Sequence, residues 1–249
     1  LQTLRIVMFL EHKYLKFKGL NLTIETIEGL LKHNGPINNK SKIEKLIGIK
    51  NLKGKIIFSK YPSLEAQISA ISDDIAYNNH DIQDGIKANL FKLEDLIEIK
   101  FFKEIYKSYK SNIKKSKKNI IIYQIIRDSI NLMVEDVINN TLLNIKDNKI
   151  KKYSDIINNK KQIVSFSNKF KSIEQEIKSF LRLKMYNNKS VLNKNNNGKK
   201  IITKLFSEIS KKPKKYVNNY QNKDQFRSIS DYISGMTDRY AIQLHKSLK

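Results

Sequence analysis

Asp73, Tyr77 and Asp81 recur one helical turn apart in the segment Pro62–Gly85, with Asp74, His80 and Asp84 among them. At about 100° per residue, Asp73, Tyr77 and Asp81 share roughly 80° of arc, and His80 and Asp84 fall close beside them. Leu64, Ile68, Ile71, Ile75, Ile82 and Ile86 fall on the opposite side, within roughly 60°. The chain around this stripe carries a formal net charge of +24. An anionic cluster in so basic a background points to a cationic occupant, most simply a metal ion. The stripe supplies carboxylate ligands, but no histidine cluster lies nearby to complete a metal site. Periodicity alone leaves a second reading open, in which the acidic side is a solvated helix face.

The elements that must position the stripe are helices. Pro62 and Ser63 start the acidic helix and Gly85 weakens its end. Gln2 to Phe17 has apolar residues at helical spacing. Asn21–Glu25 reads as a cap with acid in the first turn, and that helix stops at Gly35-Pro36. Residues 37 to 61 read as a variable connection. Further helices are expected over Leu93–Tyr109, Asn119–Leu143, Ile163–Met185, Lys200–Ile209 and Ser228–Leu248. Asn187–Gly198 and residues 211 to 224 read as loops, and a short strand is expected at most over Lys55–Phe58. No internal repeat is visible. The class is all-α.

Composition narrows the function classes. Hydrophobic residues at 40% and charged residues at 29% describe a chain that folds around a core rather than a disordered one. The chain is long enough for one large domain or two small ones. No apolar run approaches the roughly 20 residues that span a bilayer, so no membrane partner is expected. The chain has no cysteine, which excludes disulfides and thiolate metal sites. Nothing near Leu1 resembles a signal peptide, and the expected compartment is the cytoplasm. The first residue is Leu1 rather than methionine, as in a fragment or a start at a non-standard codon. Only five of the 48 basic residues are arginine. Lysine, asparagine and isoleucine share A/T-rich codons, so part of the charge reads as drift on solvated faces. The densest runs, Lys114–Lys118 and Lys211–Lys215, are candidate nucleic-acid patches or solvated turns.

Four stretches carry a resemblance: Gln2–Val7, Gly19–Pro36, Pro62–Gly85 and Asp231–Ala241. In that order they resemble the deoxyguanosine-triphosphate triphosphohydrolase-like proteins of the HD-domain phosphohydrolase superfamily. The resemblance implies an HD-type helical core over residues 1 to 110 and phosphohydrolase-associated helices over 111 to 249. It implies metal-dependent hydrolysis of a deoxynucleoside triphosphate, typically dGTP, to deoxynucleoside and triphosphate. It makes Asp73 a ligand of a divalent ion such as Mg or Mn. Tyr77 looks like the residue that packs on the deoxyribose, and Asp81 like the acceptor for its 3′-hydroxyl. Tyr186 resembles a second sugar contact, with Lys184 and Lys189 as phosphate-binding candidates. Where the family often has a histidine two residues after that tyrosine, this chain has Asn188.

The resemblance also implies a departure. The family's first metal histidine, its His-Asp pair and the residues that position water belong before Gln2. None of His12, His33, His80 or His245 replaces them; His33 is expected to be structural and His245 to lie on the surface. No catalytic residue is therefore identified in this chain, and its metal site is expected to be incomplete, as in the C-terminal product of an interrupted gene. Three functions follow. The first is a triphosphohydrolase completed by an N-terminal fragment or a longer product. The second is a non-catalytic remnant or structural subunit that self-associates. The third is a nucleic-acid-binding module, with single-stranded DNA as a candidate partner.

Overall fold

A computed structural model describes residues 1–48, 52, 54–109, 118–217 and 224–248. Every regular element among them is helical, as expected. They divide into two compact units, Leu1–Leu181 and Arg182–Lys249. The boundary expected after residue 110 and most of the Lys114–Lys118 run fall on residues outside the described set.

The first unit begins with α1 (Gln2–Arg5), which continues as a π-helical turn over Ile6–Leu10. The expected helix to Phe17 stops there, and Leu15 is fully exposed. The chain doubles back instead: the Gly19 amide donates to the Glu11 carbonyl (3.0 Å) and the Leu20 amide to that of Val7 (2.7 Å). Gly19 has φ +74°, and a Cβ there would lie 2.3 Å from the Met8 carbonyl oxygen, so only glycine fits this close return. Helix α2 (Ile24–Leu31) is capped by Thr23, whose side chain accepts from the Thr26 amide. His33 closes α2 through Nδ1 at 3.1 Å from the Leu30 carbonyl, the structural role expected of it. The connection that follows contains α3 (Ser41–Gly48). Lys55–Phe58 forms no strand. Ile56 and Phe58 instead join Leu4, Met8, Ile27 and Ile47 in a small core.

Helix α4 (Leu64–Lys87) is the acidic helix. Ser63 caps it by accepting from the Ala66 amide at 3.3 Å. It packs on α2, α7 (Lys118–Asp147) and α9 (Asn168–Leu181). The expected helix over Leu93–Tyr109 is broken into α5 (Leu93–Leu96) and α6 (Lys100–Ser108). After α7 comes α8 (Tyr153–Ile157). Residues 163 to 167, expected to be helical, are not helical but pinned from two sides. Asp136, Asn140 and Asn144 lie four apart on α7 and so share a face. Asn140 donates to the Ser165 carbonyl (2.7 Å) and Asn144 to that of Ile163 (2.8 Å). Asp136 accepts from the amide (2.8 Å) and hydroxyl (2.6 Å) of Ser167, which fixes the start of α9.

The second unit opens with a π-helical turn over Arg182–Tyr186. The Asn187–Gly198 loop expected from sequence is instead part of α10 (Lys189–Lys211). Asn188 caps it, accepting from the amide (3.0 Å) and hydroxyl (2.9 Å) of Ser190. Helix α10 packs on α11 (Gln225–Ser234) and α12 (Asp238–Ser247). Leu205, Ile209, Val217, Ile229, Ile233 and Ala241 form their common core. The last expected helix is thus two, parted at Gly235, with Asp224 capping α11 and Thr237 capping α12. Tyr232 and Tyr240 join them through their hydroxyls, 3.2 Å apart.

Candidate functional site

The face of α4 that carries the chemistry is set by what its other face buries. Ile75 and Ile82 are buried as expected, but Ile68 is 48% exposed. In its place the helix buries amides: Gln67, Asn78 and Asn79 are each no more than 4% exposed. Gln67 acts as a clamp. Its Nε2 donates to the Pro62 carbonyl (2.9 Å), and its Oε1 accepts from the amides of Ile163 (2.9 Å) and Val164 (3.1 Å). Asn79 donates to the Ile75 carbonyl at 2.8 Å and approaches the Met133 sulfur of α7 at 3.4 Å. These anchors set the rotation of α4 about its axis. Gly85 lies in the last turn of the helix, near its end as expected, and a Cβ there would lie 2.2 Å from the Phe91 ring. Phe91 in turn meets Phe180 of α9 edge to face at 4.9 Å.

With that rotation fixed, Asp73 and Tyr77 are exposed and Asp81 is half-buried, one turn apart on one face. The Asp-Asp pair is split in role. Asp74 reaches Lys178 of α9 at 3.8 Å, and Lys178 also bonds Glu174 at 2.6 Å. Burial works against the Lys178 ammonium, but the Glu174 hydrogen bond and charge, with Asp74 behind them, outweigh it and hold its pKa above the usual lysine value. Among the described residues Asp73 has no such partner, and it is exposed beside Tyr77, which is 60% exposed. His80 is exposed on the same helix.

The remaining candidates belong to the second unit. Tyr186 ends the π-helical turn, where the Asn187 amide donates to the Arg182 carbonyl at 3.0 Å. Lys184 is half-buried within that turn and Lys189 is exposed at the first position of α10. Asn188 is occupied as the cap of α10, which gives the departure at that position a structural role. His245 is half-buried in the last turn of α12.

Among the described residues, no three His, Asp or Glu side chains lie close enough together to hold one metal ion. The exposed carboxylate of Asp73 is a hard oxygen donor suited to Mg or Mn. A stable site needs several converging ligands, so the described residues do not fit a metal centre by themselves, and no reaction step is assigned through one. The Lys211–Lys215 run closes α10: Lys211 bonds Glu208 at 2.9 Å and Pro213–Lys215 forms a single turn. Cations at a helix C-terminus offset its dipole, so this run has a structural use. Among the described residues no helix is long and apolar enough to cross a membrane.

Residues 164–247 match the family model described as the phosphohydrolase-associated domain. This places a phosphohydrolase-associated domain over α9 to α12. The deoxyguanosinetriphosphate triphosphohydrolase-like protein of Pelagibacter ubique is 66% identical over 249 residues, spanning 100% of this chain and 67% of the relative. The proteins of the same name from Leptospira interrogans (serovar Lai) and Bartonella henselae are 38% and 37% identical, each over 99% of this chain and 64% of their own length. The chain belongs to the deoxyguanosinetriphosphate triphosphohydrolase-like family, and it spans about two thirds of the length of these relatives.

Proposed function

We propose that this chain supplies the sugar-facing part of a deoxynucleoside triphosphate triphosphohydrolase, with dGTP the substrate its relatives' name suggests. Such an enzyme cleaves the bond between the α-phosphorus and the 5′-oxygen and releases deoxynucleoside and triphosphate. The observation that carries this reading is the single face of α4 that presents Asp73, Tyr77 and Asp81 one turn apart. Tyr77 packs its ring on the deoxyribose and Asp81 accepts from the 3′-hydroxyl. Tyr186 is a second sugar contact, and Lys184 and Lys189 meet the charge of the triphosphate. A π-helical turn is a frequent companion of functional positions, which supports the assignment of Tyr186. Asp73 supplies one carboxylate to a divalent ion whose other ligands come from a complementing fragment or a longer chain. A bound ion of that kind lowers the pKa of its water and neutralises phosphate charge.

Two variants test the assignment in the completed enzyme. Asp73→Ala is expected to abolish triphosphate release, and undiminished turnover removes the ligand role. Tyr77→Ala is expected to raise KM by roughly tenfold, the loss of one packed contact; an unchanged KM removes the sugar-packing role.

The absence of a three-ligand cluster among the described residues also favours a second reading, a non-catalytic subunit that keeps the helical scaffold. A completed enzyme that turns over and loses activity in Asp73→Ala excludes it. A nucleic-acid-binding module, with single-stranded DNA as partner, is the third reading. It requires affinity that falls steeply with salt and does not respond to Asp73→Ala.

A further inference from the structure

Helices α6, α7 and α9 line a groove of about 780 Å³ in the first unit, a volume in the range of small-molecule sites. Ile105, Leu132 and Ile173 give it an aliphatic floor. Four carboxylates and two ammoniums line it as well, so it is locally acidic in a chain of net charge +24. One carboxylate is committed: Asp136 holds the amide and hydroxyl of Ser167. Glu135 accepts only from the neutral amide of Asn131, at 2.8 Å. Glu104 and Glu176 are exposed, and among the described residues neither carboxylate has a hydrogen bond or an ion pair. Three negative charges on three different helices therefore stand uncompensated around an apolar floor.

These features select the occupant by its chemistry. A phosphate or nucleotide meets like charge on every helix. A single metal ion does not fit, because no three carboxylates among the described residues lie close enough to hold one. A flat aromatic or quaternary cation needs an open ring face. Here the Lys169 ammonium already lies over the Phe170 ring at 5.8 Å. Phe101 is buried and meets Phe102 and Phe170 edge to face at 5.2 and 5.7 Å. What remains is a cation whose charges are set apart by methylene groups. We infer that the groove binds a linear aliphatic polyamine. Its methylenes lie on Ile105, Leu132 and Ile173, as lysine stems lie on apolar surface with their charged heads in water. Its ammoniums meet Glu104, Glu135 and Glu176. None of the lining residues belongs to α4, and the inference does not depend on the catalytic reading. Helices α7 and α9 both pack on α4, so the bound polyamine ties together two of the helices that seat it.

Spermidine titrated calorimetrically into the full chain tests this at fixed ionic strength. The overall charge of +24 repels a polycation, so saturable binding marks a locally acidic site. The expected result is one spermidine per chain, with the thermal midpoint raised by roughly 3 °C at ten times the dissociation constant. The pair Glu104→Gln with Glu176→Gln is expected to weaken binding roughly tenfold. Asp147→Asn, exposed near the end of α7 and outside the groove, is expected to leave it unchanged. Magnesium at matched ionic strength is expected not to displace spermidine. No saturable binding overturns the inference, as does binding unaltered in the Glu104 and Glu176 double variant. Displacement by magnesium overturns it by identifying a simple cation site. Loss of binding in Asp73→Ala overturns it by moving the site to the acidic face of α4. A tetralysine peptide that binds where spermidine does not assigns the groove to a protein segment and overturns it too. Triphosphate release is not read in these assays, so failure here leaves the catalytic proposal standing, and the reverse holds.

Discussion

Gln67 shows what a single side chain does in this protein. It ties the first turn of α4 to residues 163 and 164, nearly a hundred positions later, through two hydrogen bonds, and holds the Pro62 carbonyl through a third. Gln67→Ala removes the acceptor for two backbone amides in a buried place. The expected cost is about 3 kcal/mol, because each unsatisfied buried donor carries most of its desolvation penalty. Urea unfolding checks this, and a loss below about 0.5 kcal/mol, the size of an ordinary surface effect, contradicts it. Gly85 reverses a familiar rule. In an open helix, Gly→Ala stabilises by roughly 1 kcal/mol. Here the new methyl meets Phe91, which is 4% exposed and held by Phe180. Gly85→Ala is expected to destabilise by about 1–3 kcal/mol, and Phe91→Leu in the same chain to recover part of that. At this scale the sequence shows Asp73, Tyr77 and Asp81 as one face, because their spacing is local. It does not show Gln67, Asn78 and Asn79 as buried, because their environment is made by residues far away in the chain.

Elements divide the same way. The start of α4 and the end of α2 are legible, since Ser63 is a local start signal and Gly35-Pro36 a local stop signal. Helix α10 is not. Its first half is rich in asparagine, which favours turns over helix interiors, and Gly198 lies within it. The helix persists because Asn188 caps it and Leu205 and Ile209 anchor its far end in the core. Glu208 adds to that end. Hydrogen bonds from Lys204 (2.8 Å) and Lys211 (2.9 Å), with their charges, lower its pKa to about 2. A carboxylate depressed in the folded state supports that state above its unfolded value and loses the support as pH falls through its folded value. The support of α10 by Glu208 is therefore expected to vanish between pH about 4.5 and about 2. Its two lysine partners are exposed, so salt screens the effect. Helicity followed through an acid titration checks this, with Glu208→Gln expected to flatten the change in that window; an identical titration in the variant contradicts it. The opposite sign holds at Tyr232. Burial and the Tyr240 hydroxyl push its pKa up to about 12, so the α11–α12 contact loses stability as pH rises from about 10 towards 12.

At the scale of the whole molecule, the all-α class and the family were legible from the spacing of apolar residues and from four ordered stretches. The two compact units were not, because compactness follows from which helices pack together. The excess of lysine is spread over exposed helix faces and helix ends, as with Lys211 beside Glu208. It gives the chain an affinity for polyanions without defining a site. The proposed function makes the face of α4 part of a triphosphohydrolase. Its most direct test measures triphosphate release from each of the four dNTPs, with Mg or Mn. One sample is this chain alone. The other is this chain joined to the third of the Pelagibacter relative that it does not match. The expected result is release by the joined protein, none by the chain alone, and none by the joined protein carrying Asp73→Ala. Full release by that variant, or a folded joined protein that releases nothing from any dNTP, contradicts the claim.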